Sequence, residues 1–121
     1  MKKFVIYSVI LFFVSCAEEK NNSPSETAKI VAESFYQGDK TTLKKYTTEE
    51  GFANFSSIQH MFSQPKDSEA NFRIIDQKTE NDVAWIKYET SYDKKPGIFK
   101  LVKVDNQWKV TARRPREKMP F

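Results

Sequence analysis

The acidic side chains of the predicted strands, Asp76 and Glu89, are the residues best placed to act as a general base. A catalytic carboxylate needs an apolar pocket that raises its pKa toward the working pH. Asp76 instead shares a strand face with Lys78, and Glu89 shares one with Lys87, a pattern typical of solvated carboxylates. The sequence therefore predicts no catalytic residue.

The chain contains one cysteine, Cys16, and one histidine, His60. A zinc site takes three or four Cys, His or acidic ligands, which a single histidine without neighbouring ligands does not provide. A single cysteine also excludes an internal disulfide framework. The sequence therefore predicts no metal site and no cofactor.

Aromatic residues are the candidates for a small-ligand pocket, since such pockets combine aromatic walls with a few hydroxyl groups. The candidate pocket residues are Tyr36, Phe55, Tyr88, Tyr92 and Trp108. The alternative is that these side chains fill the core or pack at its rim.

A dense basic segment lies near the C-terminus and contains Arg113, Arg114, Arg116 and Lys118. Four cations could contact anionic lipid headgroups or an acidic partner. The alternative is a frayed, solvated end that follows the last strand.

Three helices are predicted to position these side chains. The first begins at a capping box in residues 23–26 and ends at Gly38, the expected stop. Asp39 caps a short second helix, and Thr48 caps a third in which Gly51 lowers the helix propensity.

From residue 72 onward the apolar pattern alternates with a period of two, which predicts strands. We expect strands at 72–79, 83–92, 98–104 and 108–113, with turns at 80–82, 93–97 and 105–107. Strands joined by such short connections favour an antiparallel meander. Helices packed on a curved, four-stranded antiparallel sheet make an α+β fold.

The first residues read as a targeting segment. Lys2 and Lys3 precede an apolar stretch over residues 4–14, as in a secretory signal. Eleven helical residues rise about 16 Å, roughly half the hydrocarbon thickness of a bilayer. Without the two leader lysines the net charge falls from +4 to +2, and we expect no nucleic-acid partner.

The sequence Phe13-Val14-Ser15-Cys16 resembles the lipobox of bacterial lipoproteins. The resemblance implies cleavage before Cys16 and a lipid on its sulfur, so that the membrane is a partner. The resulting division is a signal peptide over 1–15, a lipidated cysteine and tether over 16–23, a domain over 24–113 and a basic tail over 114–121. We expect a location in the cell envelope, on the outer membrane. The alternative is a plain secretory signal with an incidental cysteine.

Three passages of the domain, SPSETAKIVAESFYQGD, TLKKYT and FKLVKVDNQWKV, resemble the nuclear transport factor 2-like (cystatin-like) superfamily. Within it the chain is similar to small secreted lipoproteins that carry a lumazine-binding-like domain of unknown function. The resemblance implies a cone-shaped sheet, a pocket between sheet and helices, frequent homodimers, and both enzymes and non-enzymes among the relatives.

Together these observations predict a lipid-anchored envelope protein that acts as a non-catalytic binding or assembly module, with a small ligand or an envelope protein as partner. Two alternatives remain at this stage. One is a small cone-fold enzyme of the isomerase or cyclase type, and the other is a structural scaffold that dimerises through the open face of its sheet.

Overall fold

Three helices open the part of the chain that the computed structural model describes, residues 22–121. They are α1 (Pro24–Gln37), α2 (Lys40–Lys45) and α3 (Glu49–Phe62). The predicted signal peptide, Cys16 and the first part of the tether lie outside the described residues. Within residues 22–121, no helix has the length and apolarity needed to cross a membrane.

The helix boundaries follow from local capping. The Ser23 hydroxyl accepts a hydrogen bond from the Glu26 N–H at 3.2 Å, and the Glu26 carboxylate accepts one from the Ser23 N–H at 2.8 Å. Gly38 ends α1 with a φ of 73°. Asp39 and Thr48 cap α2 and α3 through their side-chain oxygens, so the predicted caps are confirmed.

The four strands are β1 (Arg73–Glu80), β2 (Val83–Thr90), β3 (Asp93–Val104) and β4 (Gln107–Thr111). They form one antiparallel sheet in the order β1-β2-β3-β4. The helices pack against one face of this curved sheet, which we call the inner face. The predicted α+β fold with a four-stranded meander is confirmed.

The predicted turn over residues 93–97 is wrong, because these residues already belong to β3. The chain turns at Ser91 and Tyr92, where the Ser91 N–H donates to the Ala70 carbonyl at 2.7 Å. Pro96 is tolerated in this strand because β4 pairs with residues 100–104 of β3 and leaves residues 93–99 without a neighbour on that side.

The core lies between the helices and the inner face. Its fully buried side chains include Val31, Leu43, Ile86, Leu101 and Val110. The connection between α2 and α3 closes the free edge of β4, since the Val110 N–H donates to the Tyr46 carbonyl at 3.0 Å and the Val110 carbonyl accepts from the Thr48 N–H at 3.0 Å.

Gly51 allows α3 to approach this edge closely. A Cβ atom at Gly51 would lie 2.6 Å from the Val110 carbonyl oxygen. The residue that lowers the helix propensity of α3 is therefore the one that lets the helix pack against β4.

Candidate functional site

A cavity of about 200 Å³ lies between α1, α3 and the inner face of the sheet. Two helices and two strands, α1, α3, β2 and β3, provide its lining, because α1 and α3 each turn an apolar stripe toward the alternating inward residues of the strands. The lining residues are Val31, Ala32, Phe35, Tyr36, Phe55, Ile58, Phe62, Tyr88, Asp93 and Phe99.

Contacts between aromatic rings hold the wall of this cavity in place. The Phe35 ring meets the Phe55 ring edge to face at 6.0 Å between centroids, and Phe55 meets Phe99 in the same way at 5.8 Å. The centroid of the Tyr88 ring lies 4.6 Å from that of Phe99 and 5.2 Å from that of Phe72, on which it stacks. Edge-to-face and offset pairs are the favourable aromatic geometries, so the wall is a mutually supported cluster.

Tyr88 fits into the sheet because the residue opposite it in the ladder is Gly97. A Cβ atom at Gly97 would lie 2.6 Å from both the Cζ and the hydroxyl oxygen of Tyr88. The ring therefore lies over bare backbone. Among residues 22–121 the Tyr88 hydroxyl has no hydrogen-bond partner, although its ring is largely buried.

Three polar residues belong to the lining of the cavity: Tyr36, Tyr88 and Asp93. Because Asp93 is exposed, we call this polar part of the lining the mouth of the cavity. Burial raises the pKa of Tyr36. The hydrogen bond with the Thr90 hydroxyl lowers this pKa, and the Asp93 charge raises it further. Burial also raises the pKa of Tyr88 well above its usual range, with further contributions from Tyr36 and Asp93. Both phenols therefore keep their protons at neutral pH.

Asp93 itself is exposed, and its Oδ1 accepts a hydrogen bond from the Lys95 backbone N–H at 3.1 Å. Within the described part of the chain it forms no ion pair. The mouth therefore combines two neutral phenols with one carboxylate that is not neutralised by a neighbouring cation.

Two solved structures share this architecture. One is a protein from Campylobacter jejuni, provisionally described as a nuclear transport factor 2-like transpeptidase, with a TM-score of 0.61 and 15% identity over 76% of this chain and 100% of that one. The other is a nuclear transport factor 2-like protein of unknown function from Shewanella baltica OS155, with a TM-score of 0.54 and 13% identity over 73% of this chain and 85% of that one.

The chain has the nuclear transport factor 2-like fold. This confirms the fold that the sequence resemblance implied. No family model matches the chain, and no curated protein matches it. The likeness to these structures establishes the fold alone, and the chemistry of the site has to be argued from the residues of this chain.

Within the nuclear transport factor 2-like fold, the structure brings together three of the predicted pocket residues, Tyr36, Phe55 and Tyr88. Tyr92 is not among the lining residues. It packs against Tyr36, with 4.8 Å between ring centroids, and its hydroxyl forms a hydrogen bond with the Ser68 hydroxyl at 2.6 Å.

Trp108 does not line the cavity. Trp108 pairs with Lys103 of β3, whereas Tyr88 pairs with Gly97 of the same strand. The six residues between these two positions correspond to about 20 Å along β3. There its ring packs against the core and lies 5.8 Å from the Lys103 ammonium. The alternation of the strand gives the correct face for Trp108 but not its position along that face.

The predicted acids and the histidine lie outside the cavity. Asp76 is exposed opposite Lys87, and Glu89 forms an ion pair with Arg73. His60 is exposed on α3. Among residues 22–121 no group of three His, Cys, Asp or Glu side chains is arranged to hold a metal ion.

The C-terminal tail is docked rather than frayed. The Glu117 carboxylate pairs with the Lys100 ammonium at 2.5 Å on the outer face of the sheet, and both side chains are largely shielded from solvent. Met119 and Pro120 face Trp85 across a groove. The predicted contact residues Arg113, Arg114, Arg116 and Lys118 remain exposed.

The sequence reasoning missed Asp93 as a site residue. It assigned Asp93 to a turn, whereas the ladder pairs Asp93 with Thr90 and brings it to the mouth of the cavity. No local pattern marks this position, because it depends on a turn fixed by the contact between Ser91 and Ala70.

Proposed function

We propose that this protein is a lipid-anchored, non-catalytic binding module of the bacterial cell envelope, and that it holds a small apolar group in its aromatic cavity. One observation carries the proposal: aromatic rings from α1, α3 and the sheet line a cavity, and the lining includes Tyr88, whose hydroxyl has no hydrogen-bond partner among residues 22–121. Apolar walls with a few placed polar groups are the composition of small-molecule sites.

The size of the cavity sets the size of the ligand. An apolar cavity of about 150 Å³ holds a benzene molecule, whereas pockets for drug-sized molecules start at about 300 Å³. A cavity of about 200 Å³ therefore suits one ring, or a branched aliphatic group of the same bulk.

Binding is favoured over catalysis by the position of the acidic groups. A general base of the isomerase type needs a carboxylate buried among apolar side chains. Asp93 is exposed at the mouth, and Asp76 and Glu89 lie on the other face of the sheet. None of these carboxylates has the environment that such a mechanism requires.

Anchoring is proposed through Cys16, supported by the lipobox-like sequence that precedes it. Each buried methylene contributes about 0.8 kcal/mol, and two or three acyl chains hold a protein firmly at a membrane. The domain would then act at the surface of the outer membrane, tethered by residues 16–23.

Ligand binding can be tested with toluene and benzyl alcohol as probes, using NMR titration of the detergent-solubilised mature protein. We expect both probes to shift the resonances of Phe55, Tyr88 and Phe99 at millimolar concentrations. Ile58→Trp places a large ring in the lining and should abolish the shifts. Ile75→Trp, at a position 41% exposed on β1, is the matched control and should preserve them. Absence of binding, or binding that Ile58→Trp leaves unchanged, would refute the proposed site.

Anchoring can be tested separately by mass spectrometry of the membrane fraction. We expect a mature chain that begins at an acylated Cys16, and a Cys16→Ser variant that loses the acyl mass and leaves the membrane. A Cys16→Ser variant that stays wholly in the membrane fraction would contradict the anchor while leaving the cavity proposal untouched.

A further inference from the structure

The polar residues at the mouth of the cavity indicate what chemical group the ligand carries beside its apolar ring. Asp93 is the one carboxylate among the residues that line the cavity, and the remaining polar groups of the lining are the Tyr36 and Tyr88 phenols. All three can accept a hydrogen bond, and a carboxylate accepts without donating. The mouth is therefore suited to a group that donates several hydrogen bonds.

The charges around the mouth favour a cation at this point. The negative charge of Asp93 raises the pKa of both phenols. The positive charge of Arg113 lowers the pKa of Tyr88, but this effect is weaker than that of Asp93. The Arg113 guanidinium is not part of the lining and donates to the Met119 sulfur. Lys94 and Lys95 are exposed, and Lys95 reaches Asp93 through its backbone N–H.

The rings beneath the mouth add a second attraction for a cation. Tyr36, Tyr88 and Phe99 all line the cavity, and the faces of aromatic rings attract an ammonium group within about 6 Å. A neutral head group gains neither this attraction nor a charge-assisted hydrogen bond to a carboxylate.

We propose that the ligand of this cavity is an amine: a single apolar ring fills the space between α1, α3 and the sheet, and a protonated amino group one or two carbons away donates hydrogen bonds to Asp93 and the two phenols. This inference rests on the proposed binding function, and it names the chemical class of ligand that the site selects.

The test compares four probes that share one ring: toluene, benzyl alcohol, benzylamine and benzoate. Titrations followed by NMR at pH 7 give the dissociation constant of each for the solubilised mature protein. We expect benzylamine to bind about tenfold more tightly than benzyl alcohol, because its head group gains a charge-assisted contact. Benzoate, whose charge Asp93 repels, should bind most weakly.

Asp93→Asn removes the charge and keeps an oxygen that can accept from the Lys95 N–H. We expect it to bring the preference for benzylamine over benzyl alcohol close to one while toluene binding stays unchanged. Asp76→Asn is the matched control, since Asp76 is an exposed aspartate whose Oδ1 accepts from the adjacent Gln77 N–H at 2.8 Å, and it should keep the preference.

The outcomes separate the inference from the proposed function. Equal affinities for benzylamine and benzyl alcohol, or a preference that survives Asp93→Asn, would overturn the amine inference and leave the ring-binding cavity in place. Failure of all four probes to bind would refute both. A thermal melt of Asp93→Asn checks that the exposed substitution leaves the fold intact.

Discussion

Gly97 lies opposite Tyr88 in the ladder between β2 and β3, at the point where the cavity wall meets the sheet. A methyl group there would come within 2.6 Å of the tip of the Tyr88 ring, and that ring is held by Phe72 on one side and Phe99 on the other. Because the ring has packed neighbours, it cannot move aside without cost. Gly97 thus acts on the binding site through the side chain that it accommodates.

We predict that Gly97→Ala destabilises the protein by about 1–3 kcal/mol, the usual cost of adding a methyl group to a packed site. The change should also shift the NMR signals of Tyr88 and weaken toluene binding. Urea unfolding and the titration described above measure both effects. Lys95→Ala, an exposed substitution on the same strand, should change neither. A Gly97→Ala protein with wild-type stability and wild-type Tyr88 signals would disprove this account.

Gln59 is a buried polar residue whose amide joins two helices. Its Nε2 donates to the carbonyls of Ser34 at 3.1 Å and Phe35 at 3.0 Å, near the end of α1, and its Oε1 accepts from the Lys40 ammonium at 2.9 Å. These two carbonyls also accept from the backbone N–H groups of Gly38 and Asp39, so Gln59 from α3 gives each a second donor and links α3 to the end of α1.

Gln59→Met should therefore destabilise the fold by about 0.5–1.5 kcal/mol, since similar bulk remains but each carbonyl loses its second donor and the Lys40 ammonium loses an acceptor. The free energy of unfolding from urea titration tests this. Gln64→Met is the control, because Gln64 donates to the Phe62 carbonyl at an exposed site and its loss should cost little. Equal stability of the two variants would show that the Gln59 contacts contribute nothing measurable.

At the scale of elements, the helices were predictable because their boundaries depend on residues three or four positions apart. Ser23, Asp39 and Thr48 each bond a backbone N–H within their own first turn. The start of β3 was not predictable in this way. The proline and glycine in residues 93–97 are typical of a turn, whereas the pairing of these residues with β2 depends on contacts from a distant loop.

The C-terminal tail is an element whose docking depends on pH. The hydrogen bond from Lys100 lowers the pKa of the Glu117 carboxyl, and the Arg114 backbone N–H adds to this. A carboxyl whose pKa is lower when docked stabilises the docked state above its ordinary pKa. That contribution is lost as the pH falls through the lowered pKa.

We therefore predict that, in a titration from pH 7 into acid, the tail leaves the sheet as the pH falls below the ordinary glutamate pKa of about 4.3. Trp85 reports the change, since the Lys100 ammonium lies 5.7 Å from its ring. Fluorescence should be followed in a Trp108→Phe background. Glu117→Gln should show the acid spectrum already at pH 7, whereas Glu50→Gln, at an exposed position of α3, should not. A spectrum that is flat across the range would contradict the docking.

At the scale of the whole molecule, the cavity exists because two helices and two strands that are separate in the sequence meet. The apolar stripes of α1 and α3 and the alternation of β2 indicate which faces turn inward, and the aromatic candidates Tyr36, Phe55 and Tyr88 lie on these three elements. The same patterns could not separate them from Trp108, because periodicity fixes the face of an element but not the distance along it. Asp93 required the register of the complete sheet.

The buried phenols of this cavity also link the stability of the whole fold to alkaline pH. Burial raises the pKa of Tyr36 and of Tyr88 in the folded protein. Stability that depends on a raised pKa is fully present below the unfolded pKa of about 10 and is lost as the pH rises above it, because the unfolded chain then ionises first.

We expect the free energy of unfolding to fall by about 1–2 kcal/mol between pH 9 and pH 11. Urea titrations at several pH values measure this fall. Tyr88→Phe should reduce it, and Tyr46→Phe, at the edge of the core, should not. The same alkaline loss in wild type and in Tyr88→Phe would show that the buried phenol of the cavity does not couple folding to pH.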